Sequence, residues 1–212
     1  MNPINNLTDL TVTEFCEVTA SEAPTPGGGS ISALSGALAA SLAEMVANLS
    51  LPKDGSPSPE FLAIKEKANS LQARLLTLVE KDAASFDSVM AAFKLPKATE
   101  EEKLRRKEKI PEALKLASKV PLEVALVSTE IFELIPTLLE GNQNAITDAM
   151  IAAMNARNAV LGALLNARIN LGSIKDDAYV KAALRNIEES EKMARESEEA
   201  LLAIGYKKLS KE

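Results

Sequence analysis

Between residues 61 and 93 the apolar side chains fall at Phe61, Ile64, Ala68, Leu71, Leu75 and Leu78, then at Phe86, Val89 and Phe93. Steps of three and four residues align them along one stripe of an α-helix, whereas in a strand they would scatter over both faces. A seam of this length commits the chain to packing a long helix against other helices. The next step after Leu78 is Asp82. A carboxylate at a position the pattern reserves for the core must be paired, hydrogen-bonded or protonated, because burying it bare costs several kcal/mol. A structural ion pair and a functional group both meet that condition. Lys81 is adjacent but lies about 100° round the helix, so it need not be the partner.

The building material agrees with helices. Of the 212 residues 46% are apolar, yet only 3% are aromatic and tryptophan is absent, so the core is made of alanine, leucine, valine and methionine. Such side chains suit closely approaching helices and argue against a sheet-rich fold. We expect an all-α fold, one domain over residues 1–212, built as a bundle of about six long, partly kinked helices. The formal charge of −6 provides no positive field to gather nucleic acid or anionic lipid, so no nucleic-acid partner is expected.

Histidine is absent, which removes serine–histidine–aspartate triads, histidine-ligated zinc and the usual proton carrier of neutral-pH chemistry. The single thiol, Cys16, has no partner for an internal disulfide, and between Phe15 and Val18 it is expected to face the core. No compact carboxylate spacing calls for a metal, and none is expected. No leader is read at the start. The longest uncharged apolar stretch, Ile31 to Ala43, is short for a bilayer, so we expect no membrane association and a cytoplasmic location.

Pro24-Thr25-Pro26-Gly27-Gly28-Gly29-Ser30 separates two apolar helical runs. The prolines fix two φ angles, and the glycines leave bare backbone that another group can touch. With Ser30 as N-cap of a helix over about 30–50, Pro26, Gly27, Gly28, Gly29 and Ser30 form either a site for an anion or carbonyl oxygen, or a tight loop that lets two helices pack closely.

The remaining elements follow from caps and breakers. Thr11 and Glu14 have capping-box spacing for a first helix over about 11–21. The polar connector Leu51 to Pro57 precedes Ser58-Pro59, an N-cap followed by proline at the first helical position. Thr99 and Glu102 repeat the capping box, and the charge run Glu100 to Lys109 reads as a solvated face. Pro121 and Pro136 should bend or break the segment from Pro111 to Glu140. Gly141-Asn142 should end that arm in the left-handed conformation. A helix over about 144–171 and an outer helix from Lys175 to about Tyr206, supported by i,i+4 ion pairs, complete the chain.

The 144–171 helix is nearly all apolar, and its polar residues are aligned. At 100° per residue Asn144, Asp148, Asn155, Gly162 and Asn166 share a stripe about 40° wide, with Asn170 about 40° further on. Asp148 and Asn166 are nevertheless about 27 Å apart along the axis. The stripe is an interhelical amide ladder, the bed of an elongated ligand, or an interface that brings different copies together.

The proline–glycine segment, Ala43 to Asn48, Lys81-Asp82, Val120-Pro121, Gly141-Asn142-Gln143-Asn144 with Asp148, and Asn166 with Ile169-Asn170-Leu171 together resemble one family. It is the cyclodeaminase domain of formiminotransferase-cyclodeaminase and its free-standing bacterial relatives, among them methenyltetrahydrofolate cyclohydrolases. The resemblance implies an all-α fold, a homodimer or higher assembly, and a tetrahydrofolate derivative as substrate with no separate cofactor.

Cyclodeamination closes a ring on the formimino carbon and expels ammonia, whereas cyclohydrolysis adds water to the cationic methenyl bridge. Both involve an amidinium-like cation that a fixed carboxylate stabilises. Asp82 and Asp148 are the candidate catalytic residues. Without histidine, proton transfer falls to a buried aspartate or a desolvated lysine, which makes Lys81 the third. The resemblance assigns substrate contacts to Asn142, Asn144, Asn166 and Asn170 and to the glycine loop. Formiminotetrahydrofolate cyclodeaminase is the first expectation and the cyclohydrolase the second. A non-catalytic helical assembly module is the distant rival.

Overall fold

The computed structural model describes residues 6–54, 56 and 58–210; Gly55 and Pro57 of the expected connector lie outside them. Seven α-helices are found among the described residues, with no strand: α1 (Val12–Thr19), α2 (Gly28–Ser50), α3 (Pro59–Lys94), α4 (Glu100–Thr129), α5 (Ile135–Glu140), α6 (Ile146–Leu171) and α7 (Asp177–Leu209). Four of the long ones, α2, α3, α4 and α6, close a ring in which each packs on two neighbours, and α7 covers α6 from outside.

Cross-helix hydrogen bonds fix the directions. Gln72 Nε2 donates to Ser41 Oγ at 2.5 Å and Asn69 Nδ2 to Glu44 Oε2 at 3.3 Å, so α3 runs antiparallel to α2. Ser35 Oγ donates to the Asn155 carbonyl at 3.1 Å, and Asn142 binds the end of α2, so α6 is antiparallel as well.

The expected seam forms the centre: Leu71, Leu75, Leu78 and Val79 are buried against Val46, Val124, Ile135 and Leu164. Each such side chain contributes about 1.5–3 kcal/mol relative to exposure. Where α2 meets α6 the core is almost all alanine, with Ala33, Ala40, Ala43, Ala153, Ala156 and Ala163 fully buried. Backbones there are closer than larger side chains would allow. A Cβ on Gly162 would come within 2.4 Å of Ser32 Oγ; against α4, one on Gly36 would come within 2.7 Å of Ser128 Oγ.

Several local expectations are corrected. Cys16 is exposed; of α1 only Phe15 is fully buried, with Val18 and Thr19 half-buried beside it. Pro121 lies inside a continuous α4 instead of breaking it. Its missing N–H orphans the Ala117 carbonyl, and Asn170 Nδ2 fills that vacancy at 2.7 Å. The break comes later, at a 3-10 turn over Glu130–Glu133. Glycine at 141 is not left-handed (φ −76°); a Cβ there would meet Ser50 Oγ at 2.3 Å, so close approach is what demands glycine.

The outer helix α7 is held less by pairs along itself than by pairs across to its neighbours. Arg168 of α6 makes two 3.1 Å bonds to Glu191, Arg157 lies 3.2 Å from Glu198, and Lys208 reaches Glu140 of α5 at 2.6 Å. Among the described residues only Lys192 and Glu196, 3.8 Å apart, pair at i,i+4 on α7. By length and composition α2 is apolar enough to cross a membrane, contrary to the shorter stretch read from the sequence, because the helix continues past Glu44. Of that apolar window, 56% is buried inside the bundle.

Candidate active site

Helix α2 begins earlier than expected. Gly27 is the N-cap, and the Ile31 amide closes the first turn on its carbonyl at 3.0 Å, so Ser30 sits inside the helix, fully buried, instead of capping it. Gly27 offers no side-chain cap, which leaves the first amides of α2 without one at the positive end of the helix dipole. Pro26, joined to Thr25 by a cis bond, is buried beneath this turn.

Two side chains close on that turn from opposite sides. From α3, Asp82 lies directly over Gly29, where a Cβ would stand 2.2 Å from Oδ1. From α6, Asn166 lies over Gly28, where a Cβ would stand 3.0 Å from Nδ2. The glycines are therefore a backbone surface against which an acid and an amide are seated. Asn166 Nδ2 donates to the Gly162 carbonyl at 2.9 Å.

Asp82 is half-buried and accepts a 3.0 Å hydrogen bond from Ser30 Oγ on Oδ2. Burial pushes its carboxyl above the ordinary aspartate value, and the Ser30 bond opposes that rise without cancelling it. An acid so placed exchanges protons nearer neutrality than a solvated one. Ser30 thus serves Asp82 and holds it over the glycine turn.

The other expected residues are elsewhere. Lys81 is exposed, so the desolvation expected of it is absent in the single chain. Asn170 has its amide committed to Ala117. Asn142 is committed at the opposite end of α2, taking Ser50 Oγ with its amide at 2.9 Å, donating to the Leu49 carbonyl at 3.0 Å and accepting from the Asn144 amide at 3.0 Å. Asn144 is exposed there, and Asp148 is half-buried in the first turn of α6. One end of α2 therefore carries Asp82, Gly27 to Ser30 and Asn166, and the other carries Asn142, Asn144 and Asp148. The ends are about 33 Å apart for a helix of 23 residues.

An exposed apolar stripe connects them. On α2, Ile31, Leu38, Met45 and Leu49 face outward, and on neighbouring α6 Ile151, Leu165 and Ile169 do the same, Ile169 being 75% exposed. Met45 and Ile169 belong to segments that carry the family resemblance, but the sequence reading assigned no shared surface to this set. Their heptad-like recurrence at 31, 38 and 45 was a signal that they share a face. Among the described residues no group of three histidine, cysteine, aspartate or glutamate side chains is placed to hold a metal ion.

The family model described as formiminotransferase-cyclodeaminase matches residues 11–189. The chain belongs to this family. Within it, the methenyltetrahydrofolate cyclohydrolase of Methylorubrum extorquens is 39% identical over 181 residues, covering 84% of this chain and 87% of that protein. The formimidoyltransferase-cyclodeaminase of Rattus norvegicus is 31% identical over 99% of this chain, which spans only 39% of the rat protein's length. The crystal structure of formiminotetrahydrofolate cyclodeaminase from Thermotoga maritima superposes with a TM-score of 0.81 at 32% identity, covering 94% of this chain and 97% of that one. The family's shared fold is thus the ring of four antiparallel helices with α7 outside.

Proposed function

We propose that the protein is a formiminotetrahydrofolate cyclodeaminase, forming methenyltetrahydrofolate and ammonia. The observation that carries this reading is Asp82, half-buried on the glycine turn of α2 with its carboxyl shifted upward, in a chain without histidine. In the reaction a neighbouring nitrogen of the folate attacks the protonated formimino carbon and a C–N bond forms. The proton lost by that nitrogen equals the one gained by the departing amine, whose C–N bond breaks to release ammonia. A carboxyl whose proton affinity burial has raised can take the first proton and return the second. Ionised, it also stabilises the amidinium-like cation.

The reading includes a homodimer whose copies pair antiparallel through the α2–α6 stripe. Such a twofold contact brings Asp148 and Asn144 of a second copy beside Asp82 and Asn166 of the first. Support comes from the exposed apolar face running the length between two half-complete clusters. A cytoplasmic location belongs to the same reading.

The second reading, methenyltetrahydrofolate cyclohydrolase, is favoured by the 39% identical relative of that name. Purified protein given formiminotetrahydrofolate should release ammonia stoichiometrically with methenyltetrahydrofolate. Formyltetrahydrofolate made from the methenyl compound, without ammonia release from the formimino compound, would establish the second reading. A chain that binds no reduced folate by calorimetry would be an assembly module.

A further inference from the structure

The opening turns of α4 hold a charge run that the folate reading leaves unused. At 100° per residue Lys103, Lys107, Ile110 and Leu114 fall within about 60° of arc, while Glu101, Glu108 and Glu112 point the other way. That arc is one wall of a cavity of about 660 Å³. The turn between α6 and α7 supplies the opposite wall through Ile174 and Lys175. The run is therefore not a uniformly solvated face: its cations and apolar residues line a concavity, and its acids do not.

Six cationic side chains line this cavity against one acid, Asp176, in a chain whose formal charge is −6. Asp176 is already engaged, accepting from Lys115 Nζ at 2.7 Å and from the Tyr179 amide at 3.1 Å. Lys103 is paired with Glu100 at 2.7 Å, and Arg106 caps the end of α3, donating to the carbonyls of Ala92, Phe93 and Leu95. Lys97, Lys107 and Lys175 have neither ion-pair nor hydrogen-bond partners among the described residues. Unpaired like charges around an apolar floor repel one another, and an anion between them relieves that repulsion. The volume lies within the range of small-molecule sites.

We infer that this cavity binds a small organic anion, a carboxylate, sulfonate or phosphate on an apolar frame. Its charge meets Lys107 and Lys175, and its frame lies on Ile110, Leu114 and Ile174. The inference is independent of the folate reading. Two sources present this chemistry: a separate metabolite, or the acidic end of a folate seated at Asp82. Asn166 lies five residues, about 7.5 Å of helix, before the end of α6 at Leu171, and Ile174 follows in the turn beyond, so one extended molecule can reach both.

Anilinonaphthalene sulfonate titrated into the full chain tests this by fluorescence. One saturable site per chain is expected, weakened roughly tenfold in Lys107→Glu/Lys175→Glu, to a smaller extent in Lys107→Gln/Lys175→Gln, and by added salt. Both lysines are exposed, and circular dichroism of the glutamine variant guards against misfolding. Affinity within twofold of the parent in both variants, or equally tight binding of uncharged phenylnaphthylamine, overturns the inference, and dye held by the α2–α6 stripe would give that result. If the site stands, mutual displacement of dye and formyltetrahydrofolate assigns the anion to the folate, and simultaneous binding assigns it to a separate metabolite.

Discussion

Asn170 supplies to the carbonyl of Ala117 the hydrogen bond that Pro121, four residues further along α4, has no N–H to give. A proline that should interrupt a helix is thereby accommodated by an amide from another helix. Asn170→Ala is expected to cost about 1–3 kcal/mol, since it leaves a buried carbonyl unpaired. In a Pro121→Ala background the helix supplies its own donor, so the same substitution should cost markedly less. Urea denaturation of the four chains measures this coupling. Equal costs in both backgrounds would show that the bond does not compensate the proline.

Gly29→Ala places a Cβ into the space of the Asp82 carboxyl. Asp82 is half-buried and can swing outward, so the chain should still fold, losing about 1–3 kcal/mol. Turnover should fall about as far as in Asp82→Asn, because the acid is displaced from the turn. The same substitution at Gly28 meets Asn166 at 3.0 Å and should be milder. Parallel kcat and melting-temperature measurements separate the two positions.

The proton affinity of Asp82 has a definite sign. Its carboxyl is raised from 3.8 chiefly by burial, so the folded state holds the proton more tightly than the unfolded state. Its contribution to stability therefore declines as pH climbs from 3.8 through the raised value, and is least above it. Asp82→Asn should melt no lower than the parent at neutral pH while losing most of its turnover. Ser30→Ala removes the larger of the two Ser30 interactions that oppose the rise and keeps the backbone one, so the acidic limb of the kcat/KM profile should move to higher pH. A limb that stays in place would assign that ionisation to another group.

If the working site combines Asp82 from one copy with Asp148 from another, two inactive variants should complement each other. Mixing Asp82→Asn with Asp148→Asn chains and allowing exchange leaves one intact site in each hybrid dimer. About a quarter of parental activity is expected at random pairing, half the dimers being hybrids with one of two sites intact. A mixture as inactive as its components would place both acids in sites formed within one chain.

Much of the fold was legible because helices announce themselves locally. Apolar spacing at 61–78, the capping boxes at Thr11 and Thr99, and Asp176 opening α7 are written within a few residues of where they act. What depended on distant partners was not. The tolerance of Pro121 rests on Asn170, 49 positions later; the demand for glycine at 141 rests on Ser50; and Cys16 is exposed because Phe15, not Cys16, is the residue α1 turns into the bundle. For the site, the sequence marked Asp82 as misplaced in its seam and the glycine run as bare backbone, but did not reveal that they touch. It placed Asn144 and Asn166 in one stripe, whereas one stripe on a rod still has two ends.

Holding Asp82 and Asp148 a helix length apart has a kinetic corollary. No hinge in a rigid bundle can bring them together, so an active centre that needs both is assembled by encounter. Rate per molecule should then decline on dilution while helicity does not, and the enzyme's own abundance becomes a control on its output.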